Sequence, residues 1–103
     1  MNNNILSTLG ICRKAGKLIM GFDAAKEAIG LDKACLIAIT SDISPKTAKE
    51  IRFFAGKKNL PVCTLPISME DIHSRFNRRC GVLAVCDNGL ANTLERNSIN
   101  KED

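Results

Sequence analysis

The chain has no tryptophan and no tyrosine, and only four phenylalanines, three prolines and a single histidine in 103 residues. So few rings leave little for a stacking platform of the single-strand-binding type, so any recognition of nucleic acid is expected to rest on shape and backbone. His73 stands alone, without partners at ligand spacing, and a histidine of that kind is a structural residue far more often than a metal ligand or a base. No apolar stretch approaches the roughly 20 residues that span a bilayer. The start Asn2-Asn3-Asn4 is not a charged region leading into an apolar one, so a cytoplasmic protein without membrane contact is expected.

The five cysteines, Cys12, Cys35, Cys63, Cys80 and Cys86, are odd in number and form no C-x-x-C pair, against a disulfide framework or a zinc knuckle. Reduced and mostly buried thiols are expected, with Cys35, Cys63 and Cys86 each inside an apolar run. A catalytic constellation is also lacking. Ser44 has no adjacent base, Glu70-Asp71 suits a helix start better than a carboxylate pair, and no cysteine has a histidine partner in sequence. Gly16 and Gly21 are spaced like a phosphate loop, yet the Lys-Ser/Thr that would hold nucleotide and magnesium does not follow. No enzyme, metal or cofactor is expected.

What the chain does have is 45% hydrophobic and 25% charged residues, ordinary for one folded domain over 1–103 with frayed last residues. Its net charge of +4 is uneven: residues 1–60 hold ten Lys/Arg against five Asp/Glu, residues 61–103 five against six. The excess gathers in Arg13-Lys14-Ala15-Gly16-Lys17 and continues through Gly21-Phe22-Asp23 to Lys26. A second loop, Asp42-Ile43-Ser44-Pro45-Lys46-Thr47, again opens a helix with a cation in its first turn. Helix N-termini offer unpaired N–H groups and partial positive charge, so two such starts suit a polyanion.

Helical spacing of Ile5, Leu9 and Cys12 predicts a helix from Asn4 to Ala15, stopped at Gly16. Leu18–Met20 reads as a very short strand and 24–30 as a two-turn helix closed by Gly30. The apolar run 34–40 predicts a central strand covered on both faces. Ser44-Pro45 is an N-cap and first-turn proline for a helix to Lys58. A strand at 62–65, a serine-capped helix from Ser68 to near Phe76, a strand at 82–86 and a helix to about Arg96 complete the pattern. Strands alternating with helices predict a three-layer α/β/α sandwich with a mixed sheet of about four strands, whose loops at 16–23, 40–46 and 66–81 converge on one edge.

The basic segment at 13–17, Gly21-Phe22-Asp23, the strand ending at Asp42, Ser44-Pro45-Lys46-Thr47 and Asp87-Asn88-Gly89-Leu90-Ala91-Asn92 together resemble the kink-turn-binding ribosomal protein superfamily, within it the small bacterial YlxQ-like members. The resemblance covers nearly the whole chain. It implies an α/β/α sandwich that recognises a sharply bent RNA internal loop, as a ribosomal or ribosome-associated protein. The superfamily's motif runs Gly-x-Asn-Glu with a lysine a few residues on. Gly21 matches, Asp23 stands at the asparagine, Ala24 at the glutamate, and Lys26 is the nearest lysine, one position early. Asp23 can accept from guanine amino groups but lacks the amide's donors. Ile72-His73 replaces the Leu-Gly pair usual in the second recognition loop.

The expected RNA site therefore comprises Arg13, Lys14, Gly16, Lys17, Gly21, Phe22, Asp23 and Lys26, with Asp42, Ser44, Lys46 and Thr47, and with Arg75, Arg78 and Arg79. Plainer uses compete with this one. Arg13, Lys14 and Lys17 complement a helix C-terminus, Lys49 and Arg52 suit a solvated face, the loop arginines lack acids close in sequence, and Phe22 suits a core. The expected function is non-catalytic binding of structured, ribosomal RNA by a monomer. The alternative is a protein-interaction module for the ribosome or translation factors, with auxiliary RNA contact.

Overall fold

A computed structural model of the chain describes residues 3–99. The elements follow one another as α1 (Asn3–Lys14), β1 (Leu18–Met20), α2 (Phe22–Gly30), β2 (Leu36–Thr40), α3 (Pro45–Lys57), β3 (Val62–Leu65), α4 (Met69–Phe76), β4 (Val82–Val85) and α5 (Asn88–Arg96). The strands form one sheet in the order β1-β4-β2-β3. β4 runs antiparallel to both its neighbours, and β2 pairs in parallel with β3. The sheet is thus mixed, as expected, with β2 and β4 central. Among the described residues no helix is long and apolar enough to cross a membrane.

Alternation along the central strands assigns the two cores. Leu36, Ala38, Leu83 and Val85 point to one face, where α1, α4 and α5 cover them with Leu9, Ile72 and Leu94. Ile37, Ile39, Val82 and Ala84 point to the other, under α2 and α3 with Ile29, Ile51 and Ala55. Strands buried on both faces carry apolar residues at every position except Thr40 at the end of β2, and a three-layer sandwich is the result. Leu9, Ile51, Leu83 and Leu94 are fully buried, so shortening any of them to Ala costs about 2–5 kcal/mol.

Local signals account for most boundaries. Ser44 Oγ accepts from the Thr47 N–H at 3.2 Å and caps α3, with Pro45 at its first position. Ser68 and Asp71 form a reciprocal box, each side chain accepting from the other's backbone N–H at 3.0 Å. Gly16, at φ 74, closes α1 with N–H bonds from Gly16 to Arg13 and from Lys17 to Cys12. Two expectations shift. Helix α2 begins at Phe22, so Phe22 and Asp23 lie inside it, and Gly30 is its last helical residue and not its stop. The left-handed residue is Asp32 at φ 60, and Asn59 at φ 56 does the same for α3; short polar side chains tolerate that conformation by local hydrogen bonding. After α5 the Ile99 N–H donates to Thr64 O at 2.9 Å, along the outer edge of β3. The expected fraying falls on 100–103, outside the described residues.

Candidate functional site

At one edge of the sheet the C-terminal ends of β1, β2 and β3 meet the N-terminal end of β4. Backbone bonds tie the loops leaving that edge: Gly21 N–H to Val82 O at 2.8 Å, Thr40 N–H to Gly81 O at 3.0 Å, and Ser41 N–H to Ile67 O at 2.9 Å. They enclose a groove of about 380 Å³ lined by Gly21, Phe22, Ile43, Ser44, Thr47, Met69 and the segment 78–82. Of the three loops expected to converge, the second and the end of the third do so. The first contributes only from Gly21 on, because β1 intervenes.

Gly21 occupies φ 108, ψ 153, backbone open essentially to glycine alone. A Cβ there would also stand 3.2 Å from Arg78 Nη2, so the absent side chain lets the guanidinium lie over the start of α2. Helix α2 has no side-chain cap, whereas Ser44, Ser68 and Asp87 cap α3, α4 and α5. Its first intrahelical bond is Ala25 N–H to Gly21 O at 2.9 Å, leaving the amides of Phe22, Asp23 and Ala24 ahead of the ladder. That helix end carries positive partial charge beside a guanidinium, an arrangement suited to anionic or acceptor-rich ligands. Asp23, exposed in the first turn, complements the same dipole. Phe22 is half-buried, packed on the α2–α3 core while lining the groove, so it does both of the things expected of it.

The second loop is held by its own polar groups. Ser44 Oγ donates to Thr47 Oγ1 at 3.0 Å. Asp42 Oδ1 accepts from the Met69 N–H at 3.0 Å, so this carboxylate tethers the start of α4. Lys46 is exposed in the first turn of α3, and among the described residues neither it nor Arg78 has a carboxylate within ion-pair distance. Ammonium at that helix position is disfavoured by the dipole unless an anion is near.

The other expected cations are dispersed. Arg79 Nη1 is 2.6 Å from Glu70 Oε1, so the loop arginines do not all lack acids: a partner nine residues back is brought in by the turn after α4. Glu70 also lies 3.9 Å from His73 Nδ1. Arg75 belongs to α4, its guanidinium filling the space a Cβ on Gly10 would need, 2.6 Å away. Arg13 Nη1 donates to Phe76 O at 3.2 Å and its guanidinium lies over the Phe76 ring at 5.4 Å. Lys26 Nζ sits 4.4 Å above the Phe54 ring. Lys14, Gly16 and Lys17 are exposed where β1 begins, and Cys86 N–H donates to Lys17 O at 2.8 Å at the far end of β4. Strand rise puts Lys17 about 13 Å from Gly21 along β1. The expected continuous 13–26 surface is thus divided between the two sheet edges.

Met69 and Gly81 were missed from sequence. A Cβ on Gly81 would meet Thr40 Oγ1 at 3.0 Å and Met69 Sδ at 3.3 Å, so glycine there permits the close approach of three segments at the groove. A glycine directly after Arg-Arg-Cys and before a strand was the available signal. Of the cysteines, Cys80 alone lines the groove. Burial pushes the Cys12 thiol up to about 11 and the Cys63 thiol up to about 12. Cys80 and Cys86 are shifted upward as well, chiefly by burial. All five are free, with Cys12 and Cys63 fully buried but Cys35, Cys80 and Cys86 half-buried, fewer inside than expected.

Comparison with known proteins gives a consistent picture. The sequence profile described as the ribosomal protein L7Ae/L30e/S12e/Gadd45 family matches residues 3–95. The large ribosomal subunit protein eL30 of Aeropyrum pernix is 28% identical over 85 residues, 81% of this chain and 85% of that protein. A protein of unknown function from Bacillus halodurans superposes with TM-score 0.77 at 24% identity, over 86% of this chain and 90% of that one. The 15.5kD RNA binding protein of Giardia lamblia superposes with TM-score 0.71 at 17% identity, over 89% and 79% respectively.

Proposed function

Since the chain belongs to the ribosomal protein L7Ae/L30e/S12e/Gadd45 family, we propose that it binds structured ribosomal RNA without catalysis, and that its target is a kink-turn or related internal loop. The observation that carries this reading is the uncapped start of α2 at Gly21, with Arg78 over it, in a groove bounded by the second helix start at Ser44. That the eL30 relative is a ribosomal subunit protein and the Giardia neighbour an RNA binding protein supports the RNA-binding part of this reading.

In this mechanism the free amides of α2 and the Arg78 guanidinium meet phosphate or base acceptors, and Lys46 supplies attraction from the neighbouring helix start. Asp23, at the family's asparagine position, accepts from guanine amino groups. Binding selects a bent conformation already accessible to the RNA and stabilises it by the difference in affinity between bent and straight forms. As part of the proposal the protein is a YlxQ-like member acting as one domain and one copy, in the cytoplasm, on or near the ribosome. Lys14 and Lys17 then serve general attraction and not the specific contact.

The test is titration of the protein into a labelled kink-turn RNA and a matched duplex with the G·A pairs replaced, at two salt concentrations. Preference for the kinked RNA that survives added salt is the expected result. Equal, salt-labile binding to both overturns kink-turn recognition and turns attention to a protein partner in translation or ribosome assembly.

A further inference from the structure

The outward face of α3 carries a feature that the groove does not use. At helical spacing Lys46, Lys49, Phe53 and Lys57 fall on one stripe, opposite the buried Ile51 and Ala55. Phe53 is 60% exposed, so it contributes little to the core. Its ring meets Phe54 edge-on, centroids 5.4 Å apart, and Lys57 Nζ lies 4.8 Å from the Phe53 centroid. Lys26 reaches over from α2 to the Phe54 ring. Glu50 is the one carboxylate on this stripe, so the face keeps an excess of positive charge. The first turn of α3 lines the groove through Ser44 and Thr47, and helical rise carries the stripe about 14 Å from there to Phe53.

Resting on the reading of the groove as an RNA site, we propose that the α3 stripe is a second RNA contact, which receives a single strand leaving the groove. Phosphates run past Lys46, Lys49 and Lys57, and one base stacks on Phe53. An acidic protein segment would satisfy the charge alone. A strand satisfies charge and ring together, because phosphates and bases alternate along it much as ammonium groups and ring do along the helix. The groove at one end of the stripe gives that strand its origin.

The experiment compares a blunt kink-turn RNA with versions carrying a single-stranded extension of about six nucleotides on either strand, within the usual reach of one binding face. Wild type is expected to bind one extended RNA about tenfold more tightly than the blunt one, the low end for one base stacked on a ring. Phe53→Ala removes that gain and leaves blunt-RNA affinity unchanged, while Phe53→Tyr retains it. Lys49→Ala lowers the salt slope by about one unit on the extended RNA only. Blunt RNA bound without gain from either extension, or Phe53→Ala weakening both RNAs equally, overturns this proposal and leaves the groove reading standing. Failure to bind any of these RNAs above background defeats the groove reading and this one with it. Polyglutamate that binds wild type but not Phe53→Ala, without gain from an RNA extension, assigns the stripe to an acidic protein and overturns the proposal.

Discussion

Where β1 ends, a glycine, an uncapped helix and Arg78 stand together; where it begins, a glycine closes a capped helix end among Lys14 and Lys17. Both glycines have positive φ, yet only Gly21 has a neighbour where its side chain would be, and a Cβ on Gly16 would meet nothing within 4 Å. The cations differ in the same way. At the C-terminus of α1 they complement the dipole and have a structural reason to exist. Arg78 and Lys46 sit at helix N-termini, where the dipole opposes them and where, on the proposed reading, an anionic ligand would supply the compensation. Cation density in the sequence therefore points to the edge opposite the groove.

Replacing Gly21 should break the contrast between the two edges most. Gly21→Ala is expected to destabilise the fold by about 1–3 kcal/mol through its glycine-only backbone, and to weaken kink-turn binding by at least about tenfold as Arg78 is displaced. Urea denaturation and RNA titration of one preparation separate the two effects, and unchanged affinity would remove Gly21 from the site. Arg78→Ala should cost about tenfold in affinity for the kinked RNA, against a uniform loss from Lys17→Ala that lowers the salt slope by up to about one unit whatever the RNA. Equal loss of kink-turn preference from both would merge the two edges into one surface. Gly16→Ala, strained but unobstructed, should lower stability by about 1 kcal/mol with RNA affinity intact. The smallest effect belongs to Glu70→Gln. Its exposed pair with Arg79 contributes at most about 1 kcal/mol, so stability barely moves while affinity rises slightly as Arg79 is released. A loss of affinity would mean that the pair positions the loop.

Much of the fold was legible because its signals are local. Ser44-Pro45, Ser68 with Asp71, and Gly16 act through hydrogen bonds spanning a few residues, and the apolar runs at β2 and β4 reflect burial on two faces. Gly30 misleads because glycine is the easiest residue to place at a left-handed stop, while the stop falls two residues on at Asp32, whose short polar side chain tolerates that conformation. Gly21, Phe22, Ser44, Thr47, Arg78 and Arg79 were singled out in sequence and do line one groove. Arg13 and Arg75 were singled out with them and are engaged elsewhere, by Phe76 O and over Gly10. Phe53 gave no signal, since a phenylalanine in an amphipathic helix ordinarily belongs to the core.

By itself the sequence determined the element order, the helix ends and the excess of cations, since each depends on residues close along the chain. Only the tertiary structure decided which cations share a surface. Three residues of β1, paired antiparallel with β4, put Lys17 and Gly21 at opposite edges, and the turn after α4 brings Arg79 back to Glu70. Strand order and register arise from packing two faces at once, and spacing along the chain carries no record of that.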